Sequence, residues 1–200
     1  MILFYVQHLL GIGHLRRTLA VAEACRREGV PIEVVSGGFP IDLRDFPELK
    51  VHQLPPVRSK DLSFSTIVDG TGNEVDSDFE ANRAAELKAL FESARPKILV
   101  TELFPFGRRR FRFELIPLLK AAKNEGVKIF CSVRDNVQRR PPARETETID
   151  WLKSYYSGVL VHGDPKFMPF SESFAKANEI DSLIAYTGFV ETTLAPVQSG

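Results

Sequence analysis

The sequence predicts an α/β domain built on a doubly wound, mostly parallel sheet of about seven strands. Apolar runs of strand length alternate with segments of helical period from one end of the chain to the other. The strand runs are almost continuously apolar, as strands covered on both faces are. The intervening helices are too regular for an antiparallel sandwich, and right-handed crossovers make the arrangement Rossmann-like. Two hundred residues suffice for one such domain.

The first strand is 2–6, a short β-favouring run followed at once by glycines. A helix is predicted over 13–28, where Leu15, Leu19 and Ala22 recur at helical spacing and Arg16, Glu23 and Arg27 take the far side. Gly29 and Pro31 end it. A second strand spans 32–35, closed by Ser36-Gly37-Gly38, and 51–54 is a short third. Residues 55–75 hold two prolines, a Gly-Thr-Gly turn and no sustained period, so they read as a long loop. Helices at 78–94, 113–124 and 145–156 alternate with strands at 98–101, 127–133 and 159–161. A short helix near 171–178 and a strand at 183–186 complete the series. The domain is placed at 1–188, and 189–200, with a proline and small polar residues, reads as the start of a linker.

Composition excludes several classes of function. Lys plus Arg and Asp plus Glu both total 26, so no global charge attracts nucleic acid or an anionic membrane. Two cysteines, Cys25 and Cys131, are too few for a disulfide scaffold and suit a reducing, cytoplasmic setting. No apolar run is long enough to span a bilayer, and the N-terminus lacks the basic region of a signal peptide. Neither a Gly-Lys-Ser/Thr phosphate loop nor a Gly-x-Ser-x-Gly nucleophile turn is present. A dinucleotide fingerprint fails too: Arg16 stands where its third glycine belongs, and Val35-Ser36-Gly37-Gly38 offers no acidic residue for a ribose.

In an open parallel sheet, ligands bind beyond the carboxyl ends of the strands. Three of the four histidines (His8, His14 and His162) fall at those tips, together with Glu102, Arg134, Asp135 and several glycines. Gly11-Ile12-Gly13-His14 opens the first helix, where glycines permit a tight turn and free N–H groups favour an anion. The same positive helix end favours a neutral imidazole, the form a general base requires. Such a base needs a carboxylate on its other ring nitrogen, and Glu102 stands at the tip of the neighbouring fourth strand. Two readings stay open: His14 and Glu102 as a catalytic pair, or His14 packing locally while Glu102 pairs with an arginine.

Arg108, Arg109, Arg110 and Arg112 form the densest basic cluster, interleaved with Phe104, Phe106, Phe111 and Phe113. They are candidates to grip a phosphate or carboxylate, or else form a solvated helix end over buried phenylalanines. The loop phenylalanines Phe39, Phe64, Phe104 and Phe106 form a candidate apolar surface for a lipid tail or partner domain. His162 and Asp164 alone are a weak metal signal, and no metal is expected.

Several segments together carry a family resemblance. Gly-Ile-Gly-His-Leu-Arg-Arg (11–17), followed by an Ala-rich helix and Glu-Gly-Val-Pro-Ile-Glu-Val (28–34), resembles the N-terminal half of GT-B glycosyltransferases of the family 28 type. That family includes the enzyme that adds N-acetylglucosamine to the lipid-linked peptidoglycan precursor. Thr-Glu-Leu-Phe-Pro-Phe-Gly-Arg-Arg (101–109), Ser-Val-Arg-Asp (132–135) and Val-His-Gly-Asp-Pro (161–165) are similar to related predicted bacterial glycosyltransferases.

The resemblance implies an acceptor-side domain that works with a C-terminal, donor-binding domain and is inactive alone. It implies a nucleotide-sugar donor, a hydroxyl acceptor, no metal and no cofactor. His14 matches the family's base and Glu102 its orienter. Gly11, Gly13, Arg16, Arg108, Arg109, Arg134, Asp135 and His162 become candidate acceptor or phosphate contacts. A lipid-linked acceptor would bring such an enzyme to the inner membrane face. Relatives often carry proline three residues after the histidine; this chain has Arg17. A sugar-nucleotide epimerase and a non-catalytic anion-binding module are the alternatives.

Overall fold

The computed structural model describes residues 1–61 and 66–191. Phe64 and residues 192–200, most of the expected linker, lie outside the described residues. Strand β1 (Ile2–Val6), helix α1 (Gly13–Arg27), β2 (Ile32–Ser36) and β3 (Lys50–Gln53) come first. A small ribbon of β4 (Arg58–Ser59) and β5 (Ile67–Val68) leads to α2 (Ser77–Ala94). Then come β6 (Ile98–Glu102), α3 (Arg112–Asn124), β7 (Lys128–Arg134), α4 (Pro142–Tyr155), β8 (Gly158–His162) and β9 (Ile184–Tyr186).

Seven strands form one sheet in the order β3-β2-β1-β6-β7-β8-β9, every adjacent pair parallel. The chain starts at the centre, winds out to β3, and re-enters beside β1 at β6. The loops that follow β1 and β6 therefore diverge, and the crevice between them is the binding position such a sheet provides. One face packs Leu3, Tyr5, Leu99 and Cys131 under α2, α3 and α4, through Leu87, Phe91, Leu115, Leu119 and Leu152. The other sets Phe4, Val6, Val34 and Val100 against Leu15, Leu19 and Ala22 of α1. Among the described residues no helix is long and apolar enough to cross a membrane.

Local chemistry explains the boundaries. Asp76 caps α2 by accepting from the Phe79 N–H at 2.8 Å, with Asp78 and Glu80 in the positively polarised first turn. Helix α4 begins at Pro142, three residues before the position the apolar period suggests, because proline loses nothing at a helix's first position. Two expectations are corrected. Residues 55–75 are not only loop: β4 and β5 pair antiparallel and bury Ser59, Ile67 and Val68. In place of one helix near 171–178 there are separate 3₁₀ turns at Phe170–Glu172 and Ala177–Leu183, the second broken by non-helical backbone at Ile180.

The loop phenylalanines are corrected as well. Phe104 and Phe106 are buried; Phe104 stacks on Trp151, and Phe106 meets Phe170 and Phe174 edge-on. Phe39 lies under the Arg58 guanidinium. Among the described residues, the large apolar side chains that are exposed are Leu10, Ile12, Phe167 and Phe189.

A fully buried polar cluster lies beneath the β1 and β2 tips. The Arg83 guanidinium, from α2, donates to Glu114 Oε2 of α3 at 2.7 Å, to Gln7 Oε1 at 2.5 Å and to the Gly37 carbonyl at 3.1 Å. It also reaches the Pro55 carbonyl, and the Tyr5 hydroxyl donates to Glu114. Burial pushes the Tyr5 hydroxyl well above its ordinary range, with the Glu114 charge adding to it. Arg83 and Glu114 are both wholly enclosed. Gln7 passes the order onward: its side-chain N–H donates to the His8 carbonyl at 2.8 Å, and its own carbonyl accepts from Arg108 Nε at 2.6 Å.

Gly38 is required by close approach. A Cβ built there would lie 2.3 Å from His8 Cε1, and His8 is only 5% exposed, so the ring has nowhere to retreat. Gly38→Ala is expected to cost about 1–3 kcal/mol, the usual penalty of overpacking. Urea denaturation measures it, and an unchanged midpoint would refute the packing argument.

Candidate functional site

His14 occupies the second position of α1, directly after the β1 loop, and Glu102 is the last residue of β6. Adjacency of β1 and β6 brings them together, with His14 Nδ1 2.9 Å from Glu102 Oε1. The Glu102 side chain is 1% exposed and that of His14 31%, so the imidazole bridges an enclosed carboxylate and solvent. Arg17, one helical turn after His14, pairs with the same Glu102 oxygen, and its Nη2 lies 3.2 Å from His14 Nδ1. The Ser132 hydroxyl donates to the other carboxylate oxygen at 2.7 Å. Beyond it, His162 Nε2 stands 2.9 Å from Ser132 Oγ, and His162 Nδ1 is 2.7 Å from Thr187 Oγ1. A line of polar groups thus crosses the carboxyl ends of β6, β7, β8 and β9 from His14.

Glu102 meets both the histidine and an arginine. Burial pushes its pKa up, but hydrogen bonds from His14 and Ser132 and the Arg17 charge overcome this and hold it below the usual carboxylate range. His162 is lowered chiefly by burial, and so is His8, near His14 and Arg108 in the β1 loop. A carboxyl depressed in the folded state adds stability above its unfolded pKa and loses it as pH falls through the folded value. The stability difference between wild type and Glu102→Gln is therefore expected to be largest near neutrality and to shrink below about pH 4. Denaturant titrations at several pH values check this, and a gap that widens on acidification would reverse the sign.

The other candidate residues are placed as follows. Gly11 and Gly13 have no left-handed backbone, and a Cβ at either position would meet nothing within 4 Å. They leave open space beside a helix start that carries no side-chain cap and no acid in its first turn. Arg108 is half-buried in the left-handed region (φ 58°), its guanidinium lowered by burial and countered by Glu102. Arg134 ends β7 exposed to solvent, in register with His162.

Arg16 turns to Asp45 at 3.8 Å. Arg109 is committed to α4, through Glu147, the Thr148 hydroxyl at 3.1 Å and the Trp151 ring at 4.6 Å. Asp135 is buried, its carboxylate covering the space where a Cβ of Gly163 would go. His162 is spent on Ser132 and Thr187. Ser132 and Thr187, and Arg17, which sequence reasoning noted only in the place of a proline, also contact this site. The signals available were Arg17 at three residues from His14, and Ser132 one strand from Glu102.

No protein-family model matches the chain, nor does any curated protein. Solved structures do resemble it. A glycosyltransferase from Rickettsia africae superposes with a TM-score of 0.58 at 16% identity, over 92% of this chain and 41% of that one. UDP-N-acetylglucosamine 2-epimerase from Rickettsia bellii gives 0.56 at 10% identity, over 94% and 45%. MurG from Acinetobacter baumannii gives 0.50 at 12%, over 82% and 41%. The fold is thus the Rossmann-like α/β type found in GT-B glycosyltransferases, and the chain spans less than half the length of each of these neighbours.

Proposed function

We propose that this chain is the acceptor-side domain of a GT-B glycosyltransferase that moves a sugar from a nucleotide-sugar donor to a hydroxyl acceptor. The observation that carries the reading is the His14–Glu102 pair at the sheet's switch point, one partner enclosed and the other open to solvent. Two bare acceptor atoms 2.9 Å apart repel, so a proton lies between His14 Nδ1 and the Glu102 carboxylate. The lone pair is then on Nε2. In this mechanism Nε2 takes the acceptor's hydroxyl proton as that oxygen attacks the anomeric carbon. The carbon–oxygen bond to the nucleotide breaks with its electron pair passing to the diphosphate, and the configuration inverts. The bare start of α1 at Gly11 and Gly13 lies against phosphate or sugar, and Arg108 and Arg134 supply positive charge. No metal is required, so excess chelator leaves the rate unchanged. The donor-binding surface belongs to a second domain.

Glu102 argues against the epimerase alternative, in which a carboxylate would exchange protons with the sugar. It is enclosed, ion-paired with Arg17 and held ionised. The test is a panel of nucleotide sugars incubated with the full-length protein, with and without hydroxyl acceptors. Sugar transfer is expected only when an acceptor is present. A rearranged sugar formed from the donor alone would overturn the reading.

A further inference from the structure

With Glu102 ionised and the His162 ring neutral, the hydrogen bonds that run from Thr187 to Glu102 take one arrangement of protons. Glu102 is ionised and only accepts, so the Ser132 hydroxyl spends its one proton on Oε2 at 2.7 Å. Ser132 Oγ can then only accept from His162, which fixes the proton of His162 on Nε2, 2.9 Å away. With Nε2 protonated and the ring neutral, Nδ1 is an acceptor, and the Thr187 hydroxyl donates to it at 2.7 Å. Every donor points the same way, and the line ends on the carboxylate that holds His14.

We propose that Ser132 and His162 are positioning residues for His14: through Glu102 they fix its Nδ1–H tautomer and set how strongly the carboxylate supports a protonated imidazole. This rests on His14 being the base of the proposed reaction. Neither residue touches His14 among the described contacts. Ser132 withdraws charge from Glu102, and His162 strengthens that donation because successive hydrogen bonds polarise one another. Removing either leaves the carboxylate more basic, which favours imidazolium at His14. The other groups acting here are Arg17, which pairs with Glu102, and His8 and Arg108, within electrostatic reach.

The experiment follows His14 by NMR titration of its ring signals in the full chain, without substrate, beside pH–rate profiles of the full-length enzyme. Ser132→Ala is expected to raise the His14 midpoint by about half a unit or more. The acid limb of kcat/KM should move in the same direction. His162→Ala gives a smaller rise. His162→Gln, whose amide can donate to Ser132 and accept from Thr187, returns the midpoint to within experimental error of wild type. Should Ser132→Ala not fold, the two His162 variants carry the comparison. Midpoints unchanged in every variant, or no rescue by glutamine, would overturn the assignment. A shifted midpoint in a protein that transfers no sugar would uphold the positioning role and sink the transferase reading instead.

Discussion

If His14 is the base of the proposed reaction, its replacement by alanine is expected to lower the turnover of the full-length protein by about 100-fold or more, the usual worth of a positioned general base. The loss falls on kcat more than on KM, because the imidazole acts on a proton that moves only as the reaction proceeds. The fold should survive, since the side chain is part-exposed and Arg17 and Ser132 continue to satisfy Glu102 without it. Steady-state kinetics with an unchanged far-ultraviolet circular dichroism spectrum make the measurement. Turnover equal to wild type would remove His14 from the mechanism, and the proposed function would lose its main support.

Glu114→Gln strikes stability instead. It leaves the Arg83 guanidinium wholly enclosed with a neutral amide where its counter-charge stood. Burial works against the charge on Arg83, and in the intact protein the Glu114 charge leads the groups that more than offset it. Breaking a buried pair by removing one partner costs about 3–5 kcal/mol, a large part of the 5–15 kcal/mol that typically holds a domain together. Because Arg83 also bonds Gln7 and the Gly37 carbonyl, the loop carrying His8 should loosen as well. The double change Arg83→Met with Glu114→Leu should regain much of the loss, since apolar groups of similar volume need no partner. Urea denaturation of wild type and the two variants decides the point. A loss under about 1 kcal/mol for Glu114→Gln would show that the cluster is not held by charge.

The sheet was legible because its signals are local and repeated. Apolar runs at 2–6, 32–35, 98–101 and 127–133 can be buried on two faces in few other ways. Adjacency of the first and fourth sheet strands followed from the winding, and with it the meeting of His14 and Glu102. The elements that went unread are those whose stability is not periodic. The β4–β5 ribbon has two residues per strand, too few for any pattern to register. Arg83 and Glu114 sit in helices α2 and α3 and look like ordinary solvated charges, and only the packing of those helices reveals that both are enclosed. Ser132 lies in an otherwise apolar strand and gives no sign by itself. Its role depends on the register that sets Glu102 beside Ser132 and on the neighbouring strand that brings His162.

Because successive donors point one way and the last meets an ionised carboxylate, the line from Thr187 is a brace rather than a wire. In the proposed mechanism, a proton captured at Nε2 of His14 would meet on the inner side a carboxylate whose two oxygens already accept from His14, Arg17 and Ser132. It must depart the way it came, through the part of the ring open to water. Were His14 the base of the proposed reaction, resetting it between turnovers would fall to bulk solvent and buffer, and enclosing that edge would slow the cycle without altering a single contact behind it.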